Sequence, residues 1–173
     1  MGVVVRPAAL GDEAGMGAVH VAAWLAAYRG LMPDEYLDSL TVEQRTEMWR
    51  QGLERELRPG FGRFVAESAE GVVIGFVIVG PESGADGAAR GEVFAINVDP
   101  SAWVGGAGSR LLTEGVSTLA AQGWPTAVLW VHPANARARG FYERRGWAAD
   151  GAERIDEVLG VVVPEVRYTR SLP

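Results

Sequence analysis

Seven residues, Trp103-Val104-Gly105-Gly106-Ala107-Gly108-Ser109, sit between an apolar run ending at Val98 and a helical pattern that begins near Arg110. A strand, a glycine-rich turn and a helix in that order make an anion site by simple physics. The amides of a helix's first turn have no intrahelical acceptor, and the helix dipole adds partial positive charge there. Glycines also let a phosphate approach bare backbone. Three ligand chemistries compete for such a turn. A dinucleotide turn wants Gly-x-Gly-x-x-Gly, but counting from Gly106 the third glycine position holds Leu111, and no acidic residue closes a following strand at the right interval. A triphosphate loop needs Gly-Lys-Ser/Thr, and the chain has no lysine. A pyrophosphate held by backbone amides alone needs neither. A turn that merely packs stands beside all three.

Composition narrows the chemistry further. Cysteine is absent, which removes disulfides, thiolate metal sites and a cysteine nucleophile. His20 and His132 are the only histidines, so a histidine metal site is poorly supplied and no metal is expected. All 16 basic residues are arginine, so no Schiff-base lysine exists. Against 22 acidic residues they leave a net charge of −6. That balance argues against nucleic acid as a partner; it is compatible with a cationic substrate, though acidic surfaces mostly serve solubility. No apolar stretch approaches the roughly 18 residues of a membrane span. The first residues read as neither a signal nor a transit peptide. A soluble, cytoplasmic protein with no membrane partner is expected. At 173 residues, with no repeats or linkers, one domain over 1–173 is expected.

The elements that must position the turn follow from periodicity. Val3 to Arg6 reads as a short strand ended by Pro7. From Asp12, the helical spacing runs through Met16, Val19 or His20, Ala23 or Trp24, and Ala27 or Tyr28, until Gly30 stops the helix. A second helix starts at Thr41, where Thr41 and Gln44 can form a capping box, with Val42, Trp49, Leu53 and Leu57 on its apolar side. Arg63–Ala69 and Val72–Gly80 predict a hairpin, Pro81–Gly91 a mobile loop, and Glu92–Val98 a fourth strand. Leu111, Leu112, Val116, Leu119 and Ala120 share a face of the helix after the glycine turn. Thr126–Val131, a short helix from Asn135 to Arg145, and a strand over Val161–Tyr168 complete a mixed α/β order.

Two motifs at the right separation now carry a family resemblance. Val98-Asp99-Pro100-Ser101-Ala102-Trp103-Val104-Gly105-Gly106-Ala107-Gly108-Ser109-Arg110-Leu111-Leu112 resembles the acetyl-CoA-binding motif of the Gcn5-related N-acetyltransferases, Gln/Arg-x-x-Gly-x-Gly/Ala, with Gly106 and Gly108 on the small positions. Asn135 to Trp147 is similar to the family's Asn-x-x-Ala-x-x-Phe-Tyr-x-x-x-Gly-Phe segment, and Ala23 to Pro33 resembles many bacterial members. The likeness runs over essentially the whole chain. Trp103 departs from the motif's Gln or Arg, and Val104 stands where many members have glycine. The resemblance implies an α/β (α+β) fold with a mostly antiparallel central sheet of about six or seven strands flanked by about four helices.

It also implies an N-acetyltransferase that uses acetyl-CoA as acyl donor and a small amine or peptide amine as acceptor, by direct attack in a ternary complex, with a homodimer common among lookalikes. The pyrophosphate would lie on the amides of Val104, Gly105, Gly106, Ala107, Gly108 and Ser109, beside Trp103. The pantetheine arm would run along Ile96, Asn97 and Val98, with the Val98 amide polarising the thioester carbonyl. Tyr142 would face the cleft as general acid, with Phe141 in the core, or would be a tyrosine at the core's edge. Asn135 would cap its helix, contact pantetheine, or both. Glu92 aligns with a catalytic glutamate of some members; it is a base or a solvated strand-end carboxylate. His20, Trp24 and Tyr28 share one helical stripe. Trp24 and Tyr28 would hold an amine by cation–π contact, or Trp24 packs in the core and His20 is simply partnered. The rival on the same fold is a non-catalytic acyl-CoA-binding or regulatory module.

Overall fold

The computed structural model describes residues 2–82, 89–158 and 160–173. A seven-stranded sheet runs in the order β1-β2-β3-β4-β5-β7-β6. Its strands are β1 (Val4–Pro7), β2 (Gly62–Glu67), β3 (Val73–Pro81), β4 (Gly91–Val98), β5 (Thr126–Val131), β6 (Ala148–Val158) and β7 (Val161–Ser171). Every neighbouring pair is antiparallel except β4 with β5. Helices α1 (Glu13–Tyr28) and α3 (Val42–Glu54) pack on each other, and α1 lies over β3 and β4. Helix α4 (Ala107–Ala121) packs against β2, β3 and β4, while α2 (Asp34–Asp38) and α5 (Ala136–Glu143) are short. The mixed, mostly antiparallel sheet is as expected; among the described residues there are five α-helices rather than about four.

Two cores flank the sheet. Met16, Val19, Leu53, Val65 and Phe76 form one under α1 and α3; Val77, Val79, Leu111, Leu112 and Leu119 belong to the larger one under α4. Fully burying each such side chain contributes about 1.5–3 kcal/mol, so the period-3.6 stripes of α1 and α4 decide which faces turn inward. Thr41 caps α3 as its sequence predicts, its Oγ1 accepting from the Gln44 amide at 3.2 Å. The helix stops at Glu54, however, where Arg55 turns extended, so Leu57 lies beyond it and Leu57 and Val42 are exposed. The loop expected over Pro81–Gly91 is strand at both ends, Pro81 pairing with Gly91; residues 83–88 lie outside the described residues.

Two elements depart from the sequence reading. Helix α2 is a five-residue turn entered from Pro33 that buries Leu37. Strand β6 carries a polar sequence held by cross-strand ion pairs, Arg154 to Glu165 at 2.7 Å and Arg167 to Asp150 at 2.7 Å.

The crossing of α1 and α3 depends on one missing side chain. A Cβ on buried Gly17 would lie 2.5 Å from Thr46 Oγ1 and 2.7 Å from the Thr46 backbone nitrogen. Helix propensity favours alanine over glycine by about 1 kcal/mol, but overpacking against backbone costs about 1–3 kcal/mol. Gly17→Ala is therefore expected to lower the urea midpoint; an unchanged or higher midpoint would show that the helices separate freely.

Candidate active site

The site begins where two strands part. β4 and β5 pair only through Gly91–Ala127, Glu92–Val128 and Val93–Leu129, yet β4 runs on to Val98 and β5 to Val131. On its other side β4 opposes Val93 to Val79 and Ala95 to Ile78, so Phe94 is an extra, bulged residue at the point where the β5 ladder stops. A bulge bends its strand and increases its twist. Beyond it, the Asp99 amide donates to the Ile74 carbonyl at 2.9 Å. Antiparallel alternation then gives Asn97 and Ala95 to β3 and turns the N–H groups of Ile96 and Val98 toward the open edge. The resulting cavity, about 830 Å³, is lined by Ile96, Asn97 and Val98 on one side and Trp130 and Val131 on the other.

At the end of that edge stands α4. Gly106 takes the left-handed backbone (φ 82°) at its N-cap, a conformation that favours glycine, with no side chain capping the helix. Among the described residues the amides of Ala107, Gly108 and Ser109 have no backbone acceptor, and Gly106, Gly108 and Ser109 line the cavity. Val104, Gly105 and Ala107 stand apart from the cavity lining, although the Ala107 amide, among the described residues, stays free of a backbone acceptor. The Gly105 amide is already spent on the Ala102 carbonyl at 3.1 Å. Val104 is 99% exposed, and the Ala107 side chain is buried in the core. The sharp bend falls on Gly106, so valine at 104 is accommodated at the surface.

Trp103 is not a spoiled position. Its Nε1 donates to the Val98 carbonyl at 2.8 Å, tying the turn to the end of β4. The Arg137 guanidinium stacks on its indole at 3.5 Å. Arg145 donates to Ser109 Oγ and lies 3.9 Å over the Phe141 ring. Arg137, Arg144 and Arg145 line the cavity, and none has an ion-pair partner among the described residues. These arginines escaped the sequence reading, although their spacing from Arg137 to Phe141 to Arg144 and Arg145 already places them on one helical face.

Asn135 caps α5, its Oδ1 accepting from the Ala138 amide at 3.1 Å, and it lies close enough to the Tyr28 phenol to pull that group's pKa down. Phe141 and Tyr142 reverse the expected order of burial. Tyr142 is 8% exposed and packs among core residues including Trp147 and Tyr168, while Phe141 is only half-buried, against the α4 turn. Both still line the cavity. Glu92 is 5% exposed and lines the same cavity, so it is no solvated strand-end carboxylate. Val93 packs on the α4 side of the sheet, and alternation turns Glu92 the other way, toward α1 and α3. His20, Trp24 and Tyr28 form the facing wall, with ring centroids 5.3 and 5.0 Å apart along the stripe.

A model of the Acetyltransferase (GNAT) family matches residues 23–147. This chain belongs to the GNAT acetyltransferase family. It is 33% identical over 168 residues to the N-acetyltransferase YuaI of Bacillus subtilis (strain 168), covering 95% of this chain and 90% of that protein. It is 37% identical over 132 residues to the mycothiol acetyltransferase of Streptomyces avermitilis, covering 73% of this chain but 39% of that one. In fold it resembles the PaiA N-acetyltransferase of Thermoplasma acidophilum in complex with coenzyme A, with a TM-score of 0.73, 20% identity and 99% coverage of both chains. The family and these relatives make it an N-acetyltransferase. Among the described residues, no helix is long and apolar enough to cross a membrane.

The electrostatics of this GNAT cleft keep its aromatic and imidazole groups uncharged. Burial pushes the Tyr142 phenol well above its ordinary range, and the neighbouring Tyr28 adds to this. Burial and Glu165 push Tyr28 up as well, against the lowering effect of Asn135. His20 is 6% exposed, and both of its ring nitrogens lack partners among the described residues, contrary to the reading of a partnered histidine. Burial, with Arg45 adding, pushes its imidazole from 6.5 down to about 4. The unfolded chain therefore binds the extra proton between those values, and stability is lost as pH falls through that window. The loss is on the order of 3 kcal/mol. Denaturant unfolding at pH 7 and pH 4 is expected to show it, and His20→Gln to remove most of the slope; a slope unchanged by the substitution would place the titration elsewhere.

Proposed function

We propose that this N-acetyltransferase, acting as one domain over 1–173, transfers acetyl from acetyl-CoA to a primary amine by direct attack in a ternary complex. The observation that carries this reading is the open edge of β4: an unpaired strand edge leading to the unpartnered amides of a helix N-terminus. An extended pantetheine arm adds to such an edge by main-chain hydrogen bonds. Its pyrophosphate then meets the amides of Ala107, Gly108 and Ser109. Arg137, Arg144 and Arg145 supply the charge that the motif's usual Gln or Arg does not. The Trp103 indole holds the Val98 carbonyl, and the Val98 N–H, one peptide plane earlier, would stabilise the oxyanion formed on attack.

The amine nitrogen bonds to the carbonyl carbon, the C–S bond breaks, and the thiolate leaves with a proton from Tyr142. Burial keeps the Tyr142 phenol protonated at neutral pH, so a proton is in place when the thiolate departs, although the same shift makes the phenol a weaker acid. Glu92, directly or through a water, takes the proton that the amine gives up. Cysteine is absent from the chain, which favours one-step transfer over an acetyl-enzyme.

Calorimetry with acetyl-CoA tests the donor half. A Cβ at Gly108 would meet Phe141 at 3.4 Å and Val98 at 3.5 Å, so an indole there fills the site. The native protein is expected to bind about one equivalent and Gly108→Trp none. Thiol release with a panel of primary amines tests the acceptor half. Tyr142→Phe is expected to lower kcat about a hundredfold with acetyl-CoA binding retained, and Glu92→Gln to displace the pH–rate profile. Binding of acetyl-CoA without thiol release from any amine would instead identify an acyl-CoA-binding module.

A further inference from the structure

Beside the acceptor wall, four side chains carry buried polar atoms without partners among the described residues: both nitrogens of His20, the Tyr36 hydroxyl, Arg45 Nε and Trp49 Nε1. They form one cluster. The His20 ring lies 5.9 Å from Trp49 and 5.3 Å from Trp24, which lies 6.4 Å from Tyr36. The Arg45 charge acts on both His20 and Tyr36. Arg45 has no ion pair among the described residues, and its one side-chain bond is a weak one from Nη1 to Met48 Sδ at 3.7 Å.

Buried polar groups are nearly always satisfied, so a cluster of unmet ones needs an explanation. Guanidinium and indole are donors only, a phenol donates readily, and a neutral imidazole offers one donor and one acceptor. The set is rich in donors and short of an acceptor. An oxyanion is the group that would satisfy it, and a guanidinium favours one that it can grip with two parallel bonds.

We propose that this cluster is the anion half of the acceptor site, and that the acceptor is a primary amine bearing a carboxylate or comparable oxyanion, as an amino acid does. The inference rests on the acetyl-transfer reading and deepens it. His20, Met48, Trp49 and Glu92 line the same cavity; Arg45 and Tyr36 do not reach its lining, and Arg45 Nη1 contacts the Met48 sulfur at its edge. Met48 is unbranched with three rotatable bonds. When it swings aside it gives up one sulfur contact and opens the guanidinium to the cavity. The acceptor's ammonium then faces Glu92 and its oxyanion faces Arg45, Trp49 and Tyr36. A polyamine offers nothing to the second group, and neither does the amine of an internal peptide side chain.

Matched pairs test this: phenylalanine against phenethylamine and leucine against isopentylamine, each followed by thiol release with acetyl-CoA. The carboxylate member is expected to have the higher kcat/KM by roughly ten- to hundredfold. Arg45→Gln should erase that preference, chiefly through KM, and Arg45→Lys should keep part of it. Tyr36→Phe removes one donor with almost no change in volume, and should lower the preference severalfold even if Arg45→Gln folds poorly. Equal turnover of both members, or a preference that survives Arg45→Gln in protein that still titrates acetyl-CoA, overturns the inference. If no amine releases thiol, the acetyl-transfer reading fails by itself. Tryptophan fluorescence during phenylalanine titration then decides the anion cluster: a change abolished by Arg45→Gln upholds it, and no change overturns it.

Discussion

Everything in this cleft depends on β4 keeping one partner and losing the other. Its parallel ladder with β5 ends at Val93–Leu129, where the ladder with β3 admits Phe94 as an extra residue. The coincidence has a mechanical reason: the bulge adds twist to β4 at the step where β5 must follow β7 instead. Past that step, among the described residues, the sheet has an unpaired edge in its middle that faces the cavity. Edges of that kind attract extended chains, and here the cavity leaves room for one. The bulge also resets alternation, so Glu92 and Asn97, five positions apart, share the face toward α1.

Charge is distributed to suit that edge. The chain carries −6 overall, and many of its arginines are matched to carboxylates, as Arg6 is to Asp12 at 2.8 Å and Glu67 at 2.7 Å. Around the α4 N-terminus the pattern reverses. Arg137 stacks on Trp103 and Arg145 on Phe141, held by aromatic faces rather than by carboxylates. Such stacking orients a guanidinium without neutralising it, so these charges stay available to an anion. A protein with a negative surface thereby keeps a locally positive mouth, at the place where helix amides already favour phosphate.

How legible these features were in the sequence depends on how local their causes are. The glycine turn and the Asn135 cap are set by residues within four positions of each other, and both are found where the spacing places them. The course of β6 could not be read the same way. Its Asp150, Glu153, Arg154, Asp156 and Glu157 look like a surface loop until β7 supplies Arg167 and Glu165 opposite them. The bulge at Phe94 has no local signature either, because it is a relation between β3 and β4. Trp103 shows the limit most plainly. As a letter in a motif it is only a departure from Gln or Arg; the fold reveals that its indole reaches Val98 and its face receives Arg137.

The same distinction governs how the two halves of the site are joined. α5 carries Tyr142 on one wall of the cavity, and α1 carries His20, Trp24 and Tyr28 on another; over a hundred positions separate them in the chain. Asn135 spans that gap with one side chain, capping α5 through Oδ1 and lying beside the Tyr28 phenol. Tyr28 in turn lies near enough to raise Tyr142 further. A shift of α1 therefore changes the surroundings of the side chain that caps the helix carrying Tyr142. The two walls of the cavity, far apart in the chain, are thus brought together around the residue that caps α5.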